Sequence, residues 1–356
     1  MSDCTVTTQI EAMPLLGQTR DQLQQWAERC GLPRFRGRQI ADWLYRRGVR
    51  TFAEMVDLPA PLREQLATDE RVGRSAVDQR QQAADGTTKL LLLLSDDRRI
   101  ETVVLPYADR VSVCISSQVG CPVGCVFCAT ATMGLLRNLT AAEMVDQVLT
   151  AREHSPGGKV SHVVVMGMGE PMLNYDALLR ALRLITAELE ISARRITVST
   201  AGHVPGIRRL ADEALPVTLA LSLHAPNDEL RSELIPMGRK WGVGEVMDAV
   251  RHYTRTTGRR VTLEYLLLGG VNDTPELARE LAGLLRGEIG HVNLIPWNSA
   301  DSLQPFRAPG KRSVRGFRDV LEQQGVTVTE RMERGREIDA ACGQLVVKRA
   351  QVEAVS

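Results

Sequence analysis

The residues best suited to chemistry are three cysteines in one short stretch, Cys121-Pro-Val-Gly-Cys125-Val-Phe-Cys128. Their C-x3-C-x2-C spacing lets three thiolates on a tight loop each bind one iron of a [4Fe–4S] cubane. The fourth iron is then left without a local protein ligand. An iron with an open position can chelate the amino and carboxylate groups of S-adenosylmethionine. One electron entering the sulfonium then breaks a C–S bond and yields a 5′-deoxyadenosyl radical. A structural zinc site is an alternative, although zinc usually takes four ligands, and Cys114, upstream on a predicted strand, is awkwardly placed to be the fourth. Simple electron transfer is the other.

Downstream, Gly167-Met168-Gly169-Glu170-Pro171 follows an apolar run. Glycines let backbone approach a ligand closely, and Glu170 could accept hydrogen bonds from the methionine ammonium. By itself such a turn is as readily structural, and its place one unit after the cysteine loop gives it weight. Ser199, Ser222, His224 and Asn298 are each weak signals, a histidine after a strand being more often structural. Together they make a polar rim suited to ribose, carboxylate and adenine. Cys342, among small residues in Gly335-Arg-Glu-Ile-Asp-Ala-Ala-Cys342-Gly, reads from spacing alone as an inert buried thiol.

These residues need a scaffold that brings them together. After Pro106, candidate strands (111–117, 160–166, 195–200, 217–222, 261–267 and 291–295) alternate with amphipathic helices (140–153, 175–188, 205–213, 243–253 and 275–285). Such alternation predicts a parallel sheet with right-handed crossovers. Six units are too few for a closed eight-stranded barrel and suit an open, partial (βα)6 barrel. Each of these strands is followed at its carboxyl end by a chemically loaded segment, and active sites of α/β barrels sit at that end. A last helix and strand, 314–323 and 326–329, follow.

Before the barrel, 88–94 and 99–105 are β-rich and flank Ser95-Asp96-Asp97-Arg98, a hairpin signal. The first seventy residues read as short helices, with capping-box spacing at Thr19/Gln22 and Thr51/Glu54. The stripe Leu23, Trp26, Ala27 and Cys30 predicts a buried face, Cys30 included. Arg34, Arg36, Arg38, Arg46, Arg47 and Arg50 interleave with Phe35, Trp43 and Tyr45, a pattern able to neutralise phosphate and stack on unpaired bases, or simply a solvated face. A second basic run holds Arg307, Lys311, Arg312, Arg315 and Arg318.

The 356 residues carry a formal net charge of only +1, so bulk charge announces no nucleic-acid partner. The longest apolar run, Leu90 to Leu94, is far short of the ~18 residues that span a bilayer. Met1 to Ile10 lacks a signal-peptide pattern, so a cytoplasmic protein away from membranes is expected. Seven cysteines, an odd number with three clustered, do not resemble a secreted disulfide framework.

Cys114-Ile-Ser-Ser-Gln-Val-Gly-Cys121, the cysteine loop, Arg137-Asn-Leu-Thr140, the Gly167–Pro171 turn, Asn293-Leu-Ile-Pro-Trp-Asn298 and Ile338-Asp-Ala-Ala-Cys342-Gly-Gln-Leu345 resemble the bacterial dual-specificity RNA adenine-carbon-2 methyltransferases, a radical SAM family. A sister family that methylates adenine carbon 8 is similar too. The likeness runs from about Leu15 to Leu345, and Leu32-Pro-Arg-Phe-Arg-Gly-Arg-Gln39 with Trp43-Leu-Tyr45 matches the family's small helical RNA-binding domain. It implies four segments: residues 1–72 helical and RNA-binding, 73–106 a β-hairpin connector, 107–337 the radical SAM core, and 338–356 a C-terminal segment carrying Cys342.

The resemblance also implies a reaction. Adenine carbon 2 is electrophilic and carries no acidic proton, so direct transfer from a sulfonium fails. In the family two S-adenosylmethionines are used per turnover. One methylates the cysteine matching Cys342, and the radical from the second removes a hydrogen from that S-methyl group. The methylene radical adds to the ring, Glu101 or Cys114 takes the ring proton, and Cys114 attacks Cys342 to release product as a transient disulfide. Cofactor positions carry over as Gly169, Glu170, Ser199, Ser222, Leu223, His224 and Asn298. The implied substrates are 23S rRNA at the peptidyl-transferase centre and tRNA beside the anticodon. Activity at carbon 8, or on one RNA only, is the alternative. An electron donor such as flavodoxin and a monomeric chain are further expectations. Two stretches depart from the family pattern and bear on RNA specificity: Ser299 to Phe306, and Thr329 to Arg334.

Overall fold

Local signals set the first helices. The side chain of Thr19 accepts the Gln22 N–H while Gln22 reaches back to the Thr19 N–H, starting α1 (Arg20–Arg29), which buries Leu23, Trp26 and Ala27. Next, α2 (Arg34–Ala41) runs on as a π-helical turn over Asp42–Arg47 and stops at Gly48 in the left-handed conformation. The Thr51/Glu54 box starts only a single tight turn, and α3 (Ala60–Asp69) follows. Cys30 is exposed rather than buried: it is the C-cap of α1, just beyond the turns whose inward face is packed. In this computed structural model the described residues are 14–69, 71–286, 291–297, 305–331, 334–340 and 343–345.

The hairpin forms as β2 (Thr88–Leu93) and β3 (Arg99–Pro106), preceded by β1 (Ala76–Gln82), whose polar, exposed sequence carries no strand signal. In the β2–β3 register Leu91 faces Glu101 and Lys89 faces Val103. Strand β3 then pairs antiparallel with β4 (Val111–Cys114), so the hairpin is continuous with the main sheet. The cysteine loop carries a small two-stranded sheet, β5 (Gln118–Gly120) and β6 (Leu135–Asn138), and leads into α4 (Ala141–Glu153) behind a Thr140/Glu143 capping box.

The predicted alternation follows: β7 (His162–Val165), α5 (Tyr175–Ala187), β8 (Ile196–Thr200), α6 (Val204–Asp212), β9 (Thr218–Ser222), α7 (Asp228–Leu234), α8 (Val243–Thr257), β10 (Thr262–Leu267), α9 (Pro275–Leu284), β11 (His291–Pro296), α10 (Lys311–Gln323) and β12 (Thr327–Glu330). Helix α7 was not expected, although Asn227 as N-cap before Asp228 and Glu229 is a start signal. The sheet order is β1-β2-β3-β4-β7-β8-β9-β10-β11-β12, parallel from β4 onward. Its two ends are different strands, so this is an open α/β barrel with helices between consecutive strands. One core unites the N-terminal helices with the barrel, and a smaller one surrounds the cysteine loop. Among the described residues no helix is long and apolar enough to cross a membrane.

A buried ion pair joins these parts. Arg74, before β1, contacts Asp146 of α4, with both side chains out of solvent. Its guanidinium also reaches the Gly48 carbonyl and Glu153, while Asp146 accepts the Ser75 N–H at 2.8 Å. Removing Asp146 leaves the buried guanidinium with only Glu153 as a carboxylate partner and the Ser75 N–H without its acceptor. Asp146→Ala is therefore expected to destabilise the protein by about 3–5 kcal/mol, read from chemical denaturation. A loss below about 1 kcal/mol would show that Arg74 finds other compensation.

Candidate functional site

The cysteine loop is clamped by backbone hydrogen bonds to three neighbours. Cys121 N–H donates to Gly134 O (2.8 Å), Val126 N–H to Leu234 O at the end of α7 (3.1 Å), and Ala129 N–H to Gly343 O of the C-terminal segment (2.7 Å). At Gly120 only glycine fits: φ is +78°, and a Cβ would lie 1.8 Å from Gly134 O. This loop and the carboxyl ends of the parallel strands wall one cavity of about 970 Å3, the solvent at its mouth included.

Cys121, Cys125 and Cys128 line it, with Gly169 and Glu170 after β7, Ser199 on β8, and Ser222 and His224 at the end of β9. The two serine hydroxyls are 3.4 Å apart. Glu170 accepts the backbone N–H groups of Ala201 (2.7 Å) and Met172 (3.1 Å), and Gln118 Oε1 accepts the Glu170 N–H (2.8 Å). His224 has φ +58°, uncommon for a residue with a side chain. Its Nδ1 accepts the Leu266 N–H at 3.0 Å, and its ring packs edge-on against Phe127.

Electrostatics favour an electron-poor guest among the thiols. Burial first, then the neighbouring thiols and Glu170, push Cys125 well up; burial, with Cys128 and Glu170, pushes Cys121 up to about 12. Without a cation these groups stay protonated, and bound iron reverses that balance. Among the described residues no three His, Cys, Asp or Glu side chains converge as ligands on a single metal ion would. Thiolates on a cubane each take a different iron and need not converge on one point. Burial, then the Arg231 charge, pushes His224 down to about 3, which keeps it neutral.

Arg231 is 1% exposed. Its Nη2 donates to Ala201 O, while Nε and Nη1 have no acceptor among the described residues. Burial pushes the guanidinium down to about 10, opposed first by the nearby Cys125. A buried cation with idle donors beside a cysteine suits an anionic group, and a cluster held by three thiolates is one. The donor set fits a [4Fe–4S] cluster.

Of the residues singled out from sequence, Leu223 is off the cavity. This leucine follows the last residue of β9 and is buried, its N–H donating to Glu264 O at 3.1 Å, while Ser222 and His224 on either side of it line the cavity. Glu101 and Cys114 do not line the cavity either; they lie on neighbouring strands, Cys114 opposite Val103. Asn298 and Cys342 lie outside the described residues. Gly343 and Leu345, however, form part of the cavity wall, and Thr130 Oγ1 donates to Leu345 O at 2.5 Å.

Sequence reasoning missed Glu264 and Arg331, also in the wall. Glu264 sits in register with Ser222 on one side and Asn293 on the other, and Asn293 Nδ2 donates to it at 2.8 Å. Burial holds its carboxyl above the usual range, against Arg331 and Asn293. A lone acid inside the apolar run of β10 was the available signal.

The expected base-stacking aromatics need correction. Tyr45 is fully buried, its hydroxyl bonded to Gln18 O and Gly17 N–H, and Trp43 is buried with Nε1 on Asp57. Phe35 alone of the three is exposed, with Arg36 over its ring. Arg46 and Arg50 are committed to Glu190 and Glu153 of the barrel. Arg38 and Arg47 on the helical segment, and Lys311, Arg312 and Arg315 on α10, remain exposed.

The Arg231 charge gives a measurable expectation. Arg231→Met removes a buried cation beside the thiols, which disfavours adding an electron. The midpoint potential of the reconstituted cluster, followed by EPR during reductive titration, is expected to become more negative. An unchanged potential would mean that the guanidinium is electrostatically isolated from the cluster.

Comparison with known proteins identifies the family. Residues 115–282 match the family model described as Radical SAM superfamily, and residues 13–72 match the Ribosomal RNA large subunit methyltransferase N-terminal domain. The chain is 49% identical over 337 residues to the probable dual-specificity RNA methyltransferase RlmN of Symbiobacterium thermophilum, covering 93% of this chain and 91% of that protein. With the probable dual-specificity RNA methyltransferase RlmN of Gloeobacter violaceus it shares 50% over 333 residues, covering 93% and 94%. The crystal structure of a radical SAM methyltransferase from Sphaerobacter thermophilus superposes with a TM-score of 0.91 at 48% identity, covering 94% of this chain and 99% of that one. With a radical SAM model over its core and close relatives along nearly its whole length, the chain belongs to the RlmN family of radical SAM RNA methyltransferases.

Proposed function

We propose that the protein methylates adenosine at carbon 2, in 23S rRNA at the peptidyl-transferase centre and in tRNA next to the anticodon. The observation that carries this reading is the wall of the thiol cavity: it includes Gly343 and Leu345, just after Cys342 in the chain, pinned to the cysteine loop through Ala129 and Thr130. A thiol delivered from that segment suits a methyl carrier. Cys121, Cys125 and Cys128 would hold the [4Fe–4S] cluster, which together with S-adenosylmethionine supplies the 5′-deoxyadenosyl radical.

The chain's own residues divide the remaining work. Gly169 and Glu170 would orient the methionine end of the cofactor, with Ser199, Ser222, neutral His224 and Asn298 along its adenosine. Phe127, Leu266 and Ile295 in the wall keep water away from a reactive carbon centre. Cys342 would accept a methyl group on sulfur and present its carbon to the adenine. Glu101 would accept the ring proton, and Cys114, attacking the Cys342 sulfur, would free the methylated base.

Nucleoside digestion and mass spectrometry of RNA from a strain lacking the gene and one overexpressing it provide the test. The expected result is 2-methyladenosine lost from both RNAs and restored by the chain. Gain of 8-methyladenosine without 2-methyladenosine would overturn the regiochemistry, and restoration in one RNA alone would overturn the dual specificity. In vitro, Cys114→Ala is expected to accumulate RNA attached to protein on denaturing gels, because the releasing thiol is gone. RNA that migrates freely would remove Cys114 from that step.

A further inference from the structure

Lys89 is a lone cation inside the buried run of β2, 9% exposed. Its Nζ lies 3.0 Å from Glu101 Oε1, and Glu101 is 2% exposed. The same ammonium donates to the backbone carbonyl of Asp339, at 3.4 Å. Directly opposed residues of antiparallel strands project to the same side. The pairs Lys89–Val103, Leu91–Glu101 and Val103–Cys114 therefore put Lys89, Glu101 and Cys114 on one face of β2, β3 and β4.

Among the described residues, charged and titratable groups also stand on the strands beside this carboxylate. Arg99, next on that face of β3, is bound to Asp78 at 2.8 Å. Cys114 comes from β4. From the loop after β7, Met168 contributes only its sulfur, which accepts the Glu101 N–H at 3.4 Å. On the opposite face, toward α4, the contact is neutral, Thr102 Oγ1 donating to Gln147 Oε1.

The Asp339 end of the contact belongs to a segment held against the β1–β2 turn. Glu337 Oε1 accepts the Ala84 N–H (2.7 Å), Asp85 Oδ2 accepts the Gly335 N–H (3.2 Å), and Arg334 donates to Pro106 O (2.7 Å). Asp339 itself has φ +51°, a conformation that costs energy for a residue with a side chain and persists only where surroundings enforce it.

We infer that Lys89 is a positioning residue of the methyl-transfer reaction, holding Glu101 ionised beside Cys114 and tying it to the segment that leads to Cys342. The inference rests on the role proposed above for Glu101. A carboxylate buried without a cation takes up a proton and can no longer accept one. An ammonium at 3.0 Å keeps it ready. The Asp339 contact makes the same cation a reporter of whether the C-terminal segment is docked.

The test uses full-length protein with reconstituted cluster, as wild type, Lys89→Met, Lys89→Arg and Glu101→Gln. Two steps are read separately: S-methylation of Cys342 by mass spectrometry, which removes no ring proton, and single-turnover formation of 2-methyladenosine across pH. Lys89→Met is expected to methylate Cys342 within about twofold of wild type while the RNA step falls by at least about tenfold, the order of a general-base contribution. The acid limb of its rate profile moves to higher pH, and Lys89→Arg recovers most of the rate. In cluster-free protein, trypsin is expected to cut after Arg334 or Arg336 faster in Lys89→Met than in Lys89→Arg.

A wild-type rate and profile in Lys89→Met would overturn the inference, as would equal losses in Lys89→Met and Lys89→Arg at both steps. Equal tryptic cleavage of the two variants would remove the tether. A wild-type RNA rate in Glu101→Gln is a different failure: it sinks the proposed role of Glu101, and the Lys89 inference with it.

Discussion

Three thiols are gathered in a recess at the carboxyl edge of a parallel sheet, and much of the surrounding structure answers to that constraint. Burial and mutual proximity hold Cys121 and Cys125 protonated unless positive charge arrives. The loop cannot rely on metal alone for its shape, so its backbone is fastened to the β5–β6 hairpin, to α7 and to the C-terminal segment. Arg231 supplies a fixed cation behind the loop, and the same charge helps to keep His224 neutral in the wall. Thiol loop, polar rim and C-terminal segment are thus one mechanical unit.

The change of strand direction at β4 organises the chemistry on either side of it. From β4 onward the strands are parallel, so their carboxyl ends fall side by side and gather Gly169, Glu170, Ser199, Ser222 and His224 around the thiols. On the other side β2, β3 and β4 are antiparallel, which fixes a register rather than a common edge. That register puts a lysine, a carboxylate and a cysteine on one face, an arrangement suited to moving a proton. A parallel barrel alone would offer no such face next to its first strand.

The N-terminal helices show how composition can mislead about a surface. Six arginines and three aromatics suggest a nucleic-acid platform, yet Trp43 and Tyr45 are spent on the core and Arg46 and Arg50 on the joint with the barrel. Of those three aromatics, Phe35 alone is exposed. The Arg74–Asp146 pair reinforces the same joint from within. The helical segment is therefore built first to sit firmly on the barrel, with a narrower basic strip left facing solvent.

Much of this was legible from residues alone, and the reason lies in range. The C-x3-C-x2-C spacing, the capping boxes at Thr19 and Thr140 and the strand–helix alternation are local, so the sequence carries them openly. The cavity followed too, because parallel strands bring their carboxyl ends together whatever their side chains are. Long-range pairing could not be read that way. Leu223 matched a family position, yet it is buried off the cavity that Ser222 and His224 line. The hydrogen bond from Asn293 to Glu264, the burial of Arg231 behind Cys125 and the meeting of Lys89 with both Glu101 and Asp339 each join residues from different elements. The sequence by itself determined which chemistry was available and which strands would carry it. Which charges face one another was decided only by tertiary structure, because a lone charge in an apolar strand shows no partner until register and packing supply one.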